Sequence, residues 1–394
     1  MTVLKMHAHK VLSLLLAGLL AQACSRGPRL TPDELAATDA RPDLTGVPEL
    51  AWEVKLPSPP AALLSTGAET LIITTHRGEL YTFDLEAGMR ASPLRQPLRK
   101  SISAQLVDTE RPAIYIASSA AAELRAYGLA DGKMLWKMKR HRVTGPMALM
   151  DGLLLTASRA GKVSAVDVED GHILWQRQLR GRIYQGVWRV DSLAVVLTDG
   201  GILYAFRPRP GMDTSEEDLA DYPHVWRHEL GLRPNAVLAA GSERLLLGDS
   251  DGQLVSIRVG REEPDFQVRL DAPIYSRPLI TDQLVVVATS AGEVSAWQAS
   301  DGAPVWRVQG NGLVREPLLA SAHSATSPPT AVLVPFARGE LLALELATGR
   351  ELWRHTFERP LSLVKLTPGG VVAVNRRNEL SYLRLKQSSI LQRP

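Results

Sequence analysis

Four stretches of this 394-residue chain carry an alanine, a glycine six positions on and a tryptophan four positions after that: Ala126–Gly132–Trp136, Ala165–Gly171–Trp175, Ala296–Gly302–Trp306 and Ala343–Gly349–Trp353. A period of about 40 residues means that one supersecondary unit is built repeatedly and that each copy buries itself against the next. Weaker copies fill the gaps. Thr82–Gly88 lacks the tryptophan, Ala205–Gly211 is followed by an insertion before Trp226, Ser256–Phe266 keeps an aromatic, and Leu380-Ser381-Tyr382-Leu383 starts a last copy. Upstream of each lies a Gly-x-Leu/Val-x-Ala-like strand start, near 78, 122, 161, 201, 252, 292, 339 and 378. The glycine of each strong copy follows Asp131, Asp170, Asp301 or Thr348, and Asp-Gly between apolar runs marks a hairpin.

Each unit also holds a short run rich in Val, Ile and Leu, such as Leu71–Thr75, Leu153–Ala157, Val285–Thr289 and Val371–Val374. No segment carries a helical apolar period over three turns. Forty residues suit four short antiparallel strands, and eight such units suit a ring that leaves little free sheet edge. The expected fold is therefore all-β: an eight-bladed β-propeller of four-stranded antiparallel blades over residues 50–387. Indole is a large flat plate for packing blade on blade, so Trp52, Trp136, Trp175, Trp306 and Trp353 are read as structural repeat residues. Trp52 precedes every unit and the last unit has no tryptophan. The N-terminal strand is thus expected to complete the eighth blade and close the ring.

The two ends set the compartment. Lys5 and Lys10 precede an apolar run, Val11–Leu20, too short to span a bilayer of about 30 Å. Ala21-Gln22-Ala23 then meets Cys24, the only cysteine of the chain. This reads as an export signal over 1–23. The formal charge of +3 falls to +1 when its two lysines are removed, and the basic residues form no stripe, so nucleic acid is not expected as a partner. Residues 24–49, with prolines at 28, 32, 42 and 48 and no apolar period, read as a tether. With Cys24 used, the domain has no disulfide and must be held by its core.

Ala21–Cys24 resembles a bacterial lipobox, although the leucine expected three residues before the cysteine stands one residue early, at Leu20. The resemblance implies a lipid on Cys24, and Ser25 after it implies outer-membrane sorting. The segment Ala165-Val166-Asp167-Val168-Glu169-Asp170-Gly171-His172-Ile173-Leu174-Trp175 is similar to the PQQ-type propeller repeat. Repeat, export signal and tether together resemble the BamB family of outer-membrane assembly lipoproteins. That resemblance implies a non-enzymatic scaffold without cofactor, monomeric within the β-barrel assembly complex. It would be lipid-anchored, face the periplasm and dock on the POTRA domains of BamA. The family's Arg-Gly-Glu-Ser docking segment corresponds to Arg180-Gly181-Arg182-Ile183-Tyr184, where Glu-Ser is absent. On this carry-over Arg180, Arg182, Tyr184, Trp188 and Arg189 are the expected partner-facing residues, with blade packing as the other role for Trp188.

Other chemistry is weakly signalled. Quinoprotein dehydrogenases share the repeat, but their vicinal cysteine pair is impossible here. A ligand-binding propeller and a propeller of another envelope machine remain as alternatives. His224 and His228 flank Trp226 in an expected strand, where such residues lie about 13 Å apart. Asp249-Ser250-Asp251-Gly252 looks like the start of a calcium loop but reads as a turn, because the downstream bidentate glutamate is missing. Lys137–Arg142 is the densest basic run, and the insertion 213–221 is acidic.

Overall fold

The computed structural model describes residues 44–386 apart from 67–69, 89, 92–97, 99, 212–214, 216–218, 220, 232–236 and 322–327. The export signal and Cys24 lie outside the described residues. Eight four-stranded antiparallel sheets follow one another along the chain, each a simple up-and-down meander. They are blades 1 (60–91), 2 (104–139), 3 (148–178), 4 (188–229), 5 (237–269), 6 (279–309), 7 (319–356) and 8 (361–386), the last completed by Val47–Lys55. The first strand of each blade is innermost and the fourth outermost; we call them a to d.

The apolar runs read from the sequence are the b strands. Ala113–Ser118, Leu153–Ala157, Leu284–Ala288 and Gly370–Asn375 are buried at every position. Both faces of a b strand are covered because each blade is packed between two others, which is why these runs do not alternate. The protein has no single core. Eight apolar clusters are divided one to each pair of neighbouring blades.

The repeat signature explains how blades dock. Each alanine lies on strand c directly opposite its own tryptophan on strand d: Ala126 with Trp136, Ala165 with Trp175, Ala296 with Trp306, Ala343 with Trp353. A small side chain there leaves room for the indole. The glycine beneath the indole belongs to the next blade. A Cβ on Gly171 would sit 2.9 Å from the Trp136 ring, and one on Gly349 would sit 2.7 Å from Trp306. Gly171 also has φ +78°, which an L side chain rarely adopts. The Asp before it caps the same turn, Asp170 Oδ1 accepting the His172 N–H at 2.9 Å. The indole N–H then donates to a backbone carbonyl of the next blade: Trp136 to Val168, Trp175 to Pro208, Trp306 to Leu346, at 2.7–2.8 Å. In blade 5 Phe266 takes the indole's place against Gly302.

The ring closes through the N-terminal strand. Val47–Lys55 pairs antiparallel with Glu379–Lys386. Trp52 donates to Leu85 of blade 1 and lies over Gly88. Blade 8 has no c–d turn of its own, and Leu44 replaces it: its carbonyl accepts the Trp353 N–H at 2.7 Å and its side chain is fully buried. The propeller therefore begins at or before Leu44, six residues earlier than the boundary read from the sequence. The prolines hid this. Pro48 is tolerated because it sits in an outermost strand, where one side of the ladder is unpaired.

Candidate functional site

An up-and-down meander sorts its turns. The b–c turns and the loops between blades emerge on one face of the ring; the a–b and c–d turns emerge on the other. Among the described residues of the first face, Arg77, Arg140, Arg142, Arg159, Arg180, Arg182, Arg315, Arg338, Arg376 and Arg377 are exposed, against Asp271 and Glu358. The second face reverses this. Glu86, Asp131, Glu169, Asp170, Asp221, Glu262, Glu263 and Asp301 are exposed on its c–d side, and Glu110, Asp151, Asp191, Glu243 and Asp282 on its a–b side. Its exposed cations are fewer: Arg111, Lys133, Arg207, Arg209, Arg261 and Arg350. A chain of small net charge thus folds into a strongly polarised disc. Leu44 enters it at the acidic face.

The loop joining blades 3 and 4 is the best-defined feature of the arginine face. Asp199, in the b–c turn of blade 4, accepts the Arg182 N–H at 2.8 Å through Oδ1 and returns its own N–H to the Arg182 carbonyl at 2.8 Å. Ile183 is fully buried and bridged to Thr198. Gly186 lies so close to Pro146 that a Cβ would meet its carbonyl oxygen at 2.2 Å, and the Val187 N–H donates to that carbonyl at 2.9 Å. Pinned at both ends, the loop raises Arg182 and Tyr184 into solvent, Tyr184 being 39% exposed. The Arg159 guanidinium lies 5.1 Å from the centre of the Tyr184 ring. Hydrogen bonds from Arg182 and then Arg159 hold the Tyr184 phenol below its ordinary pKa. Arg159 was not singled out in the sequence; its only signal is an arginine inside the b–c turn motif.

The five residues expected to face a partner are not brought together. Arg180, Arg182 and Tyr184 share the arginine face. Arg189 is exposed but donates to the Asp191 carbonyl, in the a–b turn of the opposite face. Trp188 is half-buried in the wall of the central channel, its N–H on the Gln185 carbonyl at 2.8 Å and its ring beneath the Arg277 guanidinium at 4.4 Å. Both residues lie on strand a, which runs from one face to the other, so neighbours in sequence end at different places.

The remaining candidates resolve as structure. His228 stacks on Trp226 with ring centres 5.6 Å apart, and His224 meets the Tyr204 ring edge-on. No three metal-ligating side chains converge among the described residues. Asp249 is fully buried and caps its turn by accepting the N–H groups of Asp251 and Gln253. In the basic run, Lys137 pairs with Glu123 at 2.7 Å. His141 is buried on the Thr156 hydroxyl, and burial, then the Lys162 charge, pushes its pKa down to about 4. Of the acidic insertion, Asp221 pairs with Arg177 at 2.6 Å; Asp213, Glu216, Glu217 and Asp218 lie outside the described residues.

A family model described as "Outer membrane protein assembly factor BamB" matches residues 120–258 and 218–378. The outer membrane protein assembly factor BamB of Burkholderia pseudomallei is 29% identical over 157 residues, 40% of this chain and 39% of that protein. The protein of the same description from Nitrosomonas eutropha is 28% identical over 160 residues, 40% of this chain and 36% of that protein. The matches thus span about two-fifths of these relatives. The crystal structure of BamB from Moraxella catarrhalis superimposes with a TM-score of 0.65 at 14% identity, over 86% of this chain and all of that one. A computationally designed protein, Ika8, reaches 0.68 at 13% identity over 84% of this chain and 98% of its own, so these likenesses speak to the fold alone. The family match, over more than half of a chain whose blades carry the repeat, decides the family: the chain belongs to the BamB family of PQQ-repeat propellers.

Proposed function

We propose that the protein is a non-enzymatic scaffold of the outer-membrane β-barrel assembly complex, held to the membrane by a lipid on Cys24 and facing the periplasm. It docks on the POTRA domains of BamA through its arginine face. The observation that carries this reading is the pinned loop 179–187, which presents Arg182 and Tyr184 from a rigid frame. Preorganised side chains lose little entropy on binding, and tyrosine and arginine are the residue types that dominate protein interfaces. The exposed arginines around the loop add steering toward an acidic surface. Entry of the chain at the opposite face leaves the arginine face clear of the tether.

Changing Arg182→Ala and Tyr184→Ala together should lower co-purification with BamA at least tenfold from detergent-solubilised envelopes. Glu262→Ala with Glu263→Ala, on the acidic face, should leave it unchanged. Equal recovery of BamA by both double variants would contradict the assignment.

A further inference from the structure

The central channel opens into a cavity of about 670 Å³, walled by the a strands of blades 2, 4, 5, 6, 7 and 8. Most of the wall is Val, Ala, Leu, Ile and Pro. Among the described residues that line it, the ionisable side chains are Arg277 and Lys365, and none is a carboxylate. Arg277 is held over the Trp188 ring, and among the described residues its guanidinium makes no ion pair or hydrogen bond. Burial draws its pKa below the ordinary value, yet an arginine remains charged. Glu316 does not answer that charge. It lies in the loop between blades 6 and 7, where burial pushes its pKa up to about 7, and it forms no pair with Arg277. A partly buried cation with no counter-charge among the described residues gives up some of its hydration, and stacking on an indole recovers only part of the loss.

We propose that this funnel is a binding site for a carboxylate carried on a small apolar body. The planar guanidinium offers parallel N–H donors that match the two oxygens of a carboxylate. Aliphatic side chains of the lining can meet the apolar remainder, although polar atoms make up most of the accessible surface, and the volume falls within the range of roughly 300–1,000 Å³ usual for small-ligand sites. This site shares neither Arg182 nor Tyr184 with the docking loop, so it stands or falls independently of docking on BamA.

The test is a calorimetric titration of the purified full chain with 3-phenylpropionate, 3-phenylpropanol and 3-phenylpropylamine, which share a body and differ in charge. The acid should bind at one site and at least tenfold more tightly than the alcohol, with the amine weakest. Arg277→Gln should abolish the acid's advantage and leave alcohol binding unchanged. Equal affinities for the three, no binding of the acid, or an acid preference that survives Arg277→Gln would each overturn the proposal. If Arg277→Gln does not fold, the ranking of the three ligands by the unaltered protein decides alone.

Discussion

A chain lacking residues 44–55 should fail to form a stable propeller. The deletion removes the outermost strand of blade 8 and with it the whole antiparallel pairing along Glu379–Lys386. It also takes the Trp52 indole off Gly88 and the Leu85 carbonyl, and leaves the Trp353 N–H without the Leu44 carbonyl. The outer edge of Glu379–Lys386, which Val47–Lys55 covers, becomes open, and open edges invite aggregation. The summed loss exceeds about 5 kcal/mol, the lower end of the entire stability of a folded domain. Circular dichroism on heating should show a single cooperative transition for the intact chain and none for the deleted one. A synthetic peptide of residues 44–56 should restore part of it. A deleted chain whose midpoint falls by only a few degrees would mean that the ring does not depend on this closure.

Trp175→Ala should be the most damaging single change among the docking tryptophans. Trp175 is 1% exposed, against 8% for Trp136 and Trp353. Its ring stacks on Tyr222 at 4.4 Å and on Phe206 at 5.7 Å, and its N–H satisfies the Pro208 carbonyl of blade 4. Truncating a buried tryptophan costs about 3–5 kcal/mol. The orphaned carbonyl adds about 1–3 kcal/mol if water does not reach it. Trp175→Phe keeps the stacks and loses the hydrogen bond, so it should cost about 1–2 kcal/mol. Trp188→Ala, on the half-open channel wall, should cost less than Trp175→Ala. Urea unfolding of the three variants gives the order directly; a Trp188 variant as destabilised as the Trp175 variant would refute it.

The architecture was legible because its determinant is local and repeated. An alanine, a turn glycine and a tryptophan at fixed spacing encode one blade, and the b-strand runs mark its buried middle. What the spacing could not reveal is that the glycine under each indole belongs to the following blade, since sequence distance within a repeat says nothing about packing between repeats. Leu44 was missed because a lone apolar residue in a proline-rich stretch carries no period. Trp188 was grouped with Tyr184 because the family's docking segment was carried over onto the stretch 180–189, yet one sits in the channel and the other on a rim. The polarity of the two faces is present in the sequence, but it emerges only after each turn is assigned to b–c or c–d. Arg277 carried no signal, because an Arg-Pro pair between blades looks like any loop until the a strands are gathered around the axis.

In the proposed docking, the arginine face and not the acidic one meets BamA. A photoreactive residue placed at Tyr184 and, separately, at Glu262 in intact envelopes tests it most directly, because both positions are exposed and lie on opposite faces. Irradiation should give an adduct with BamA from position 184 and none from position 262. An adduct from 262 alone, or none from either position, would contradict the account.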